Sequence, residues 1–545
     1  MSAHKFEISG NIVDVVNKRI YKGTISVENG KIIVIKEENV SENQYILPGL
    51  IDAHVHIESS MIIPSEFARL AVIHGTVATV SDPHEIGNVL GMQGVNFMIE
   101  NGKKVPFKFY FGAPSCVPAT PFETSGASIG VAEIEELISN PEVKYLSEMM
   151  NFPGVLYNDK EVMQKLAVAK KYNKPVDGHA PGLKGEDAAK YVAAGITTDH
   201  ECFTIAEAID KINSGMLVQI REGSAAKNFE ALVDLLSTHP DYVMFCSDDK
   251  HPNDLVKGHI NQLAKRAIAQ GYEPIAVLRA CTYVPTKHYN LKVGLLQAND
   301  AADFIIIDNL QDFNVHTTYI DGIKVAENGV SYLQSVKETT PNIFKANPIT
   351  ENDIKVNYKG SKIKVMKASE GQLITECISV VPKHENNYIV SDTENDVLKI
   401  VVMNRYQKAT PAVAFINGFQ LKKGALASTV AHDSHNIIAV GANDKDIINA
   451  INLLIQSTGG ISLVNGTETY HLPLPVAGLM SADDGFEVAE KYDFIDKKTK
   501  ELGTVLNAPY MTLSFMALLV IPELKLSDKG LFDGNKFELT SLEVL

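Results

Sequence analysis

From residue 46 onward, short apolar runs alternate with amphipathic stretches of helical period, a rhythm that predicts parallel βα units. The apolar runs cover residues 47–55, 76–81, 107–112, 143–148, 175–179, 196–200, 216–220 and 242–247. Helical patterns lie between them, among them 131–139, 161–171, 186–194 and 229–236. Eight strands each followed by a helix satisfy the requirement of an α/β fold of the (β/α)8 TIM-barrel type. A doubly wound open sheet is the alternative, and the placement of polar residues at strand ends favours the barrel.

Before residue 46 the pattern is strand-like. Period-two alternation at 6–8 and 23–27 is punctuated by the turn Asn29-Gly30. Strand-like runs return at 302–308 and 325–329. The expectation is one composite β-domain made of residues 1–45 and 291–340, flanking a barrel at 46–290. Residues 339–353, with Pro341 and Pro348, read as a linker. A C-terminal α+β domain over 350–545 follows, with strands at 398–403, 412–416 and 437–440 and a helix at 444–456.

Composition narrows the partners. The 545 residues carry a formal net charge of -16, which argues against a nucleic-acid backbone and leaves a neutral small molecule open. Five cysteines without a CxxC pair suggest neither a disulfide framework nor a thiolate zinc site, but small buried side chains in a reducing cytosol. No basic region followed by a long apolar run opens the chain, and the apolar stretch 511–521 is too short to span a bilayer. A soluble, cytoplasmic protein with no membrane partner is expected.

Candidate chemistry sits at the strand ends, where barrel side chains converge. His54 and His56, two residues apart, lie on one face of the first strand and can reach a single cation. Glu148 closes the fourth run at a depth where a bare carboxylate is costly. The fifth ends at His179, the sixth at His200-Glu201 and the eighth at Asp248. Four imidazoles and two carboxylates from separate strands form a coherent metal-ligand set.

The segment Pro48-Gly49-Leu50-Ile51-Asp52-Ala53-His54-Val55-His56 resembles the first-strand motif of the amidohydrolase superfamily. The resemblance implies that His54, His56 and Asp248 bind one metal ion and that His179 and His200 bind a second. A bridging residue from the fourth strand, often a carbamylated lysine, joins the two. Here Glu148 stands in that place, which points away from dihydroorotase-like members and toward the adenine deaminase family. Ser81-Asp82-Pro83-His84-Glu85-Ile86, Arg221-Glu222-Gly223-Ser224 and Ala431-His432-Asp433-Ser434-His435-Asn436 are similar to the same family, as is Pro522-Glu523-Leu524.

The implied activity is hydrolysis of adenine to hypoxanthine and ammonia by a metal-bound hydroxide. Two divalent ions are implied, manganese or iron, with zinc also compatible, in a homodimer. Asp248 is the expected proton carrier, and Glu85 or Glu201 the donor to a ring nitrogen. His84 is read as a substrate contact, an accessory metal ligand or a turn residue. Arg221 and Ser224 are read as holding the purine edge, Arg221 alternatively as paired with Glu222 or another acid. His432 and His435 form either a polar turn or a loop folding over the barrel mouth. The competing readings are a hydrolase of cyclic amides or ureas on the same barrel, and a non-catalytic assembly protein that should lack ligands.

Overall fold

A computed structural model describes residues 5–544. Eight parallel strands form the central barrel: β1 (Leu50–Val55), β2 (Thr76–Ser81), β3 (Lys108–Ala113), β4 (Val143–Met149), β5 (Val176–Gly178), β6 (Thr198–Asp199), β7 (Leu217–Arg221) and β8 (Val243–Cys246). The ladder runs unbroken from β1 to β5 and again from β6 to β8. Backbone bonds close both seams. Thr197 N donates to Val176 O at 2.9 Å, and Asp248 N donates to His54 O at 2.9 Å while His56 N returns to Asp248 O at 3.3 Å. Closure, with helices outside, makes this the expected barrel and sets aside the open sheet.

Local sequence explains the outer helices. Lys160–Lys171 starts where the Asp159 carboxylate accepts from Glu161 N and Val162 N, and Ile205–Asn213 where Thr204 accepts from Glu207 N. The pattern at 229–236 is in fact two short helices, Phe229–Leu232 and Leu235–Thr238, broken between them.

The run at 47–55 also divides. Tyr45–Pro48 leaves the barrel and pairs antiparallel with Phe304–Ile307 and parallel with Lys5–Asp14. Gly49 makes the crossing possible, since a Cβ there would lie 2.4 Å from Val77. The eight-stranded flanking sheet thus runs Val330–Ser331, Ile323–Glu327, Val315–Ile320, Phe304–Ile307, Tyr45–Pro48, Lys5–Asp14, Arg19–Glu28, Lys31–Glu37, joining the two ends of the barrel segment.

Residues 339–353 are no free linker. Pro341 O accepts from Ala477 N, Lys345 N donates to Arg405 O, and Ile349 N donates to Asn452, so the strap is stitched along the C-terminal part. A second eight-stranded sheet follows, with Leu398–Met403 at its centre and the helix Asp444–Ser457, capped by Asn443, packed against it. This part docks on the barrel mouth. Ser481 N donates to Met61 O, Arg69 on the barrel side pairs with Asp484 at 2.7 Å, and Asn436 donates to Thr124 O.

Cys116, Cys202, Cys246 and Cys281 are buried thiols as expected; Cys377, on the strand Glu376–Val380, is exposed instead. No helix among the described residues is long and apolar enough to cross a membrane.

Candidate metal centre

The strand ends converge at the barrel mouth. His54 Nε2 and His56 Nε2 lie 3.2 Å apart. Glu148, near the end of β4, reaches between the imidazoles. Its Oε2 lies 3.0 Å from His179 Nδ1 and 3.1 Å from His200 Nε2, and its Oε1 lies 3.5 Å from His56 Nε2. Asp248 Oδ1 stands 3.3 Å from His56 Nε2 and 3.8 Å from His54 Nε2.

Ligand atoms of one cation, with bonds of about 2.1 Å, lie about 3–3.5 Å apart, so this spacing suits bound divalent ions. All six side chains are buried, and the nitrogens that face the centre crowd one another: His54 Nε2 lies 3.2 Å from His56 Nε2, and His179 Nδ1 lies 3.2 Å from His200 Nε2. Two imidazole nitrogens set face to face cannot both donate, which is costly in an ordinary core and is relieved by a shared cation. The donor set therefore fits the metal pair that the ligand pattern predicts.

Neighbouring groups hold the set in place. Asp248 adopts a left-handed backbone conformation, φ 55°, which aspartate tolerates better than most residues; its two backbone bonds to β1 pin it there. Burial alone would raise the Asp248 carboxyl, but the Arg221 guanidinium, 2.8 Å away, holds it well below the ordinary range. Glu148 is likewise held well below its ordinary value against the burial penalty, by His179 and His200. Burial and the neighbouring His200 and His56 push His54 well below its usual value, which keeps its imidazole neutral and able to ligate. Beneath the centre, Asp52 accepts from Ser247 N and lies 2.8 Å from His259 Nε2, tying β1 to β8.

A cavity opens above these ligands. His56, His84, Glu148, His179, His200, Glu201, Arg221, Asp248 and His432 all border it, from the sequence-derived set. Arg221 resolves in favour of pairing: its guanidinium grips Glu201 with both terminal nitrogens and also reaches Asp248, while Glu222 pairs with Arg266. Both terminal nitrogens are thereby engaged, and Nε alone is without a partner.

Glu85 stands just behind the wall, where Ser59 Oγ donates to it at 2.9 Å and His432 Nδ1 lies 3.3 Å away. Burial, then Glu58 and Asp249, push its carboxyl well above the ordinary range.

Two residues of the purine-contact set lie off the cavity. Ser224 Oγ donates to Asp254 at 2.7 Å and accepts from His251 N, so its hydroxyl is consumed behind the mouth. His435 is fully buried with Nδ1 accepting from Ala431 N, which makes it a brace of its own loop. His432, three residues earlier, does face the cavity, and its ring stacks on Phe515 at 4.6 Å.

Sequence reasoning passed over Asp82, Asp249 and Asp433 as site residues, along with the apolar roof of Leu373, Phe515 and Leu518. Asp249 beside Asp248, and Asp82 and Asp433 beside histidines already singled out, carried a readable signal. The roof carried none.

The amidohydrolase family model matches residues 45–325, and the chain belongs to that family of metal-dependent hydrolases. The model described as the adenine deaminase C-terminal domain matches residues 372–538. Relatives named adenine deaminase extend over almost the whole chain. That of Methanosarcina mazei is 52% identical, covering 98% of both chains, and that of Sulfurovum sp. is 54% identical, covering 97% of this chain and 98% of its own. The chain is a member of the adenine deaminase family. Membership implies divalent metal binding, and the buried His/Asp/Glu groups at the mouth are its candidate ligands.

Proposed function

We propose that this chain hydrolyses adenine to hypoxanthine and ammonia. The observation that carries the reading is the buried convergence of His54, His56, Glu148, His179, His200 and Asp248 in a chain half identical to adenine deaminases along its full length. His54, His56 and Asp248 would hold one divalent ion and His179 and His200 the other, with Glu148 between them. Imidazole and carboxylate donors without thiolate suit manganese or iron, and also zinc. Bound there, such ions supply the Lewis-acid charge that makes water nucleophilic near neutral pH.

The protein's own groups divide the proton transfers. Asp248, kept ionised by Arg221, accepts a proton from the attacking water and returns one to the departing amino group. Attack at the purine C6 breaks the ring conjugation, and a proton on a ring nitrogen offsets the charge that builds. Glu201 is committed to Arg221, whereas the raised carboxyl of Glu85 stands against His432 at the cavity wall, so the Glu85–His432 pair is assigned that delivery. Ammonia leaves as the new C6–oxygen bond becomes a carbonyl, and the second proton of the attacking water replaces the one given to the ring nitrogen, leaving hypoxanthine. Leu373, Phe515 and Leu518 offer an apolar face to the flat ring and exclude bulk water.

Ultraviolet monitoring of adenine, adenosine and 6-substituted purines with metal-replete protein tests the assignment. Free adenine should be consumed and adenosine left intact. Protein carrying two equivalents of metal that leaves adenine untouched overturns it. Asp248→Asn should lower turnover by about 10²-fold or more with the metal content retained; loss of metal would make Asp248 chiefly a ligand.

A further inference from the structure

We propose that Asp82, His84 and Glu148 form a third divalent-cation site, at the end of β2 and beside the metal pair assigned above. The three side chains are buried, and with His56 their ligand atoms all lie within 4.8 Å of one another. His84 Nδ1 sits 3.2 Å from Asp82 Oδ2 and 3.5 Å from Glu148 Oε1. Despite that proximity, His84 Nδ1 and Asp82 Oδ2 are each without a hydrogen-bond partner, and so is His84 Nε2. A ring nitrogen close to a carboxylate oxygen, yet not aligned to donate to it, has the geometry of two ligands aimed at one ion.

The local chain sets this up. Asp82 Oδ1 accepts from His84 N at 3.1 Å, bending the Asp-Pro-His turn so that Oδ2 and the imidazole share one side. Glu148 can serve both places because one oxygen, Oε1, stands 3.5 Å from both His56 Nε2 and His84 Nδ1 and is shared between them. Oε2 faces His179 and His200, while Oε1 faces His56 and His84.

Charge points the same way. Asp433 Oδ1 approaches His84 from beyond, 3.6 Å from Nε2, so acids stand on three sides of one imidazole. Arg221, the fixed cation among the cavity-lining residues, is already committed to Glu201 and Asp248. One imidazole and two carboxylates suit the first-row ions assigned to the pair.

The site rests on the metal-pair reading, and the competing account makes His84 a metal-free imidazolium held between Asp82 and Asp433. The full-length protein, stripped with chelator, is titrated with Mn²⁺, desalted and analysed for metal, and its crystals are measured at the manganese edge. Wild type should retain three equivalents, and His84→Ala and Asp82→Asn two each. An anomalous peak should stand between Asp82 and His84. Two equivalents in wild type with no such peak overturns the site, and the crystal measurement decides even if a variant fails to fold. Two ions with full adenine turnover would remove the third site and leave the functional reading intact. Three ions without turnover would do the reverse.

Discussion

Adjacent residues at the end of β6 belong to two buried charge clusters built on opposite principles. Asp199 turns toward the outer helices. Its Oδ1 accepts from Ala180 N, and its Oδ2 receives Lys211 Nζ at 2.6 Å. Lys211 spends its other donors on Ala180 O and Glu207, so every proton has an acceptor. Burial works against the charge on Lys211, yet Asp199 and the other nearby acidic groups hold its ammonium above the ordinary value. His200, one residue on, turns into the mouth, where its Nε2 faces His179 Nδ1 at 3.2 Å and both nitrogens crowd one oxygen of Glu148. The first cluster is complete in protein atoms alone, and the second is complete only with cations. Buried charge by itself therefore does not mark a functional site; incompleteness does.

The comparison is broken most directly at Glu148. Glu148→Gln should cost more than about 100-fold in adenine turnover and bring bound metal below two equivalents. Retention of both would make Glu148 an ordinary buried acid.

Lys211→Met should do the opposite. With its partners left unpaired, the chain should lose about 3–5 kcal/mol of stability, read as an earlier urea midpoint, with the metal stoichiometry unchanged. Metal loss at unaltered stability would erase the distinction.

Lys525 sharpens it, as a second fully buried lysine that has carbonyls but no acid. Its Nζ donates to Leu373 O at 2.7 Å and Phe515 O at 3.0 Å, and burial pushes it down to about 7 from 10.5. Between those values the unfolded chain keeps a proton that the folded chain has released, so stability rises with pH through this window. The slope is at most about 1.4 kcal/mol per pH unit, and the contribution is flat below the lower value. Relative to Lys525→Met, the wild type should gain stability from pH 7 to 10; equal slopes would show that Lys525 stays charged.

The smallest effect is expected at Ser224. Ser224→Ala should change adenine KM less than about twofold, because its hydroxyl serves Asp254 and His251 rather than the cavity. A large rise in KM would return Ser224 to the substrate.

Much of the barrel and the convergence of its candidate ligands was legible because both depend on short-range periodicity. Alternation along a strand puts His54 and His56 on one side, and parallel strands must present their last residues at one end. The helix at 444–456 was legible for a similar reason, a capping Asn443 followed by apolar residues at helical spacing. Aim was less legible. Arg221 and Ser224 sit in one tetrapeptide, yet one lines the cavity and the other turns to Asp254. His432 and His435 part in the same way.

What the order of residues alone determined was the βα rhythm, the six candidate donors at strand ends and the acidic net charge. Only the folded chain decided that residues 45–48 cross to the flanking sheet, that Ser224 and His435 turn away from the mouth, and that Phe515, more than 450 residues from His54 along the chain, roofs it. Periodicity is a property of neighbours in sequence. Which side chains spend their hydrogen bonds inward or outward depends on partners hundreds of residues away, and packing settles that only once the chain has closed on itself.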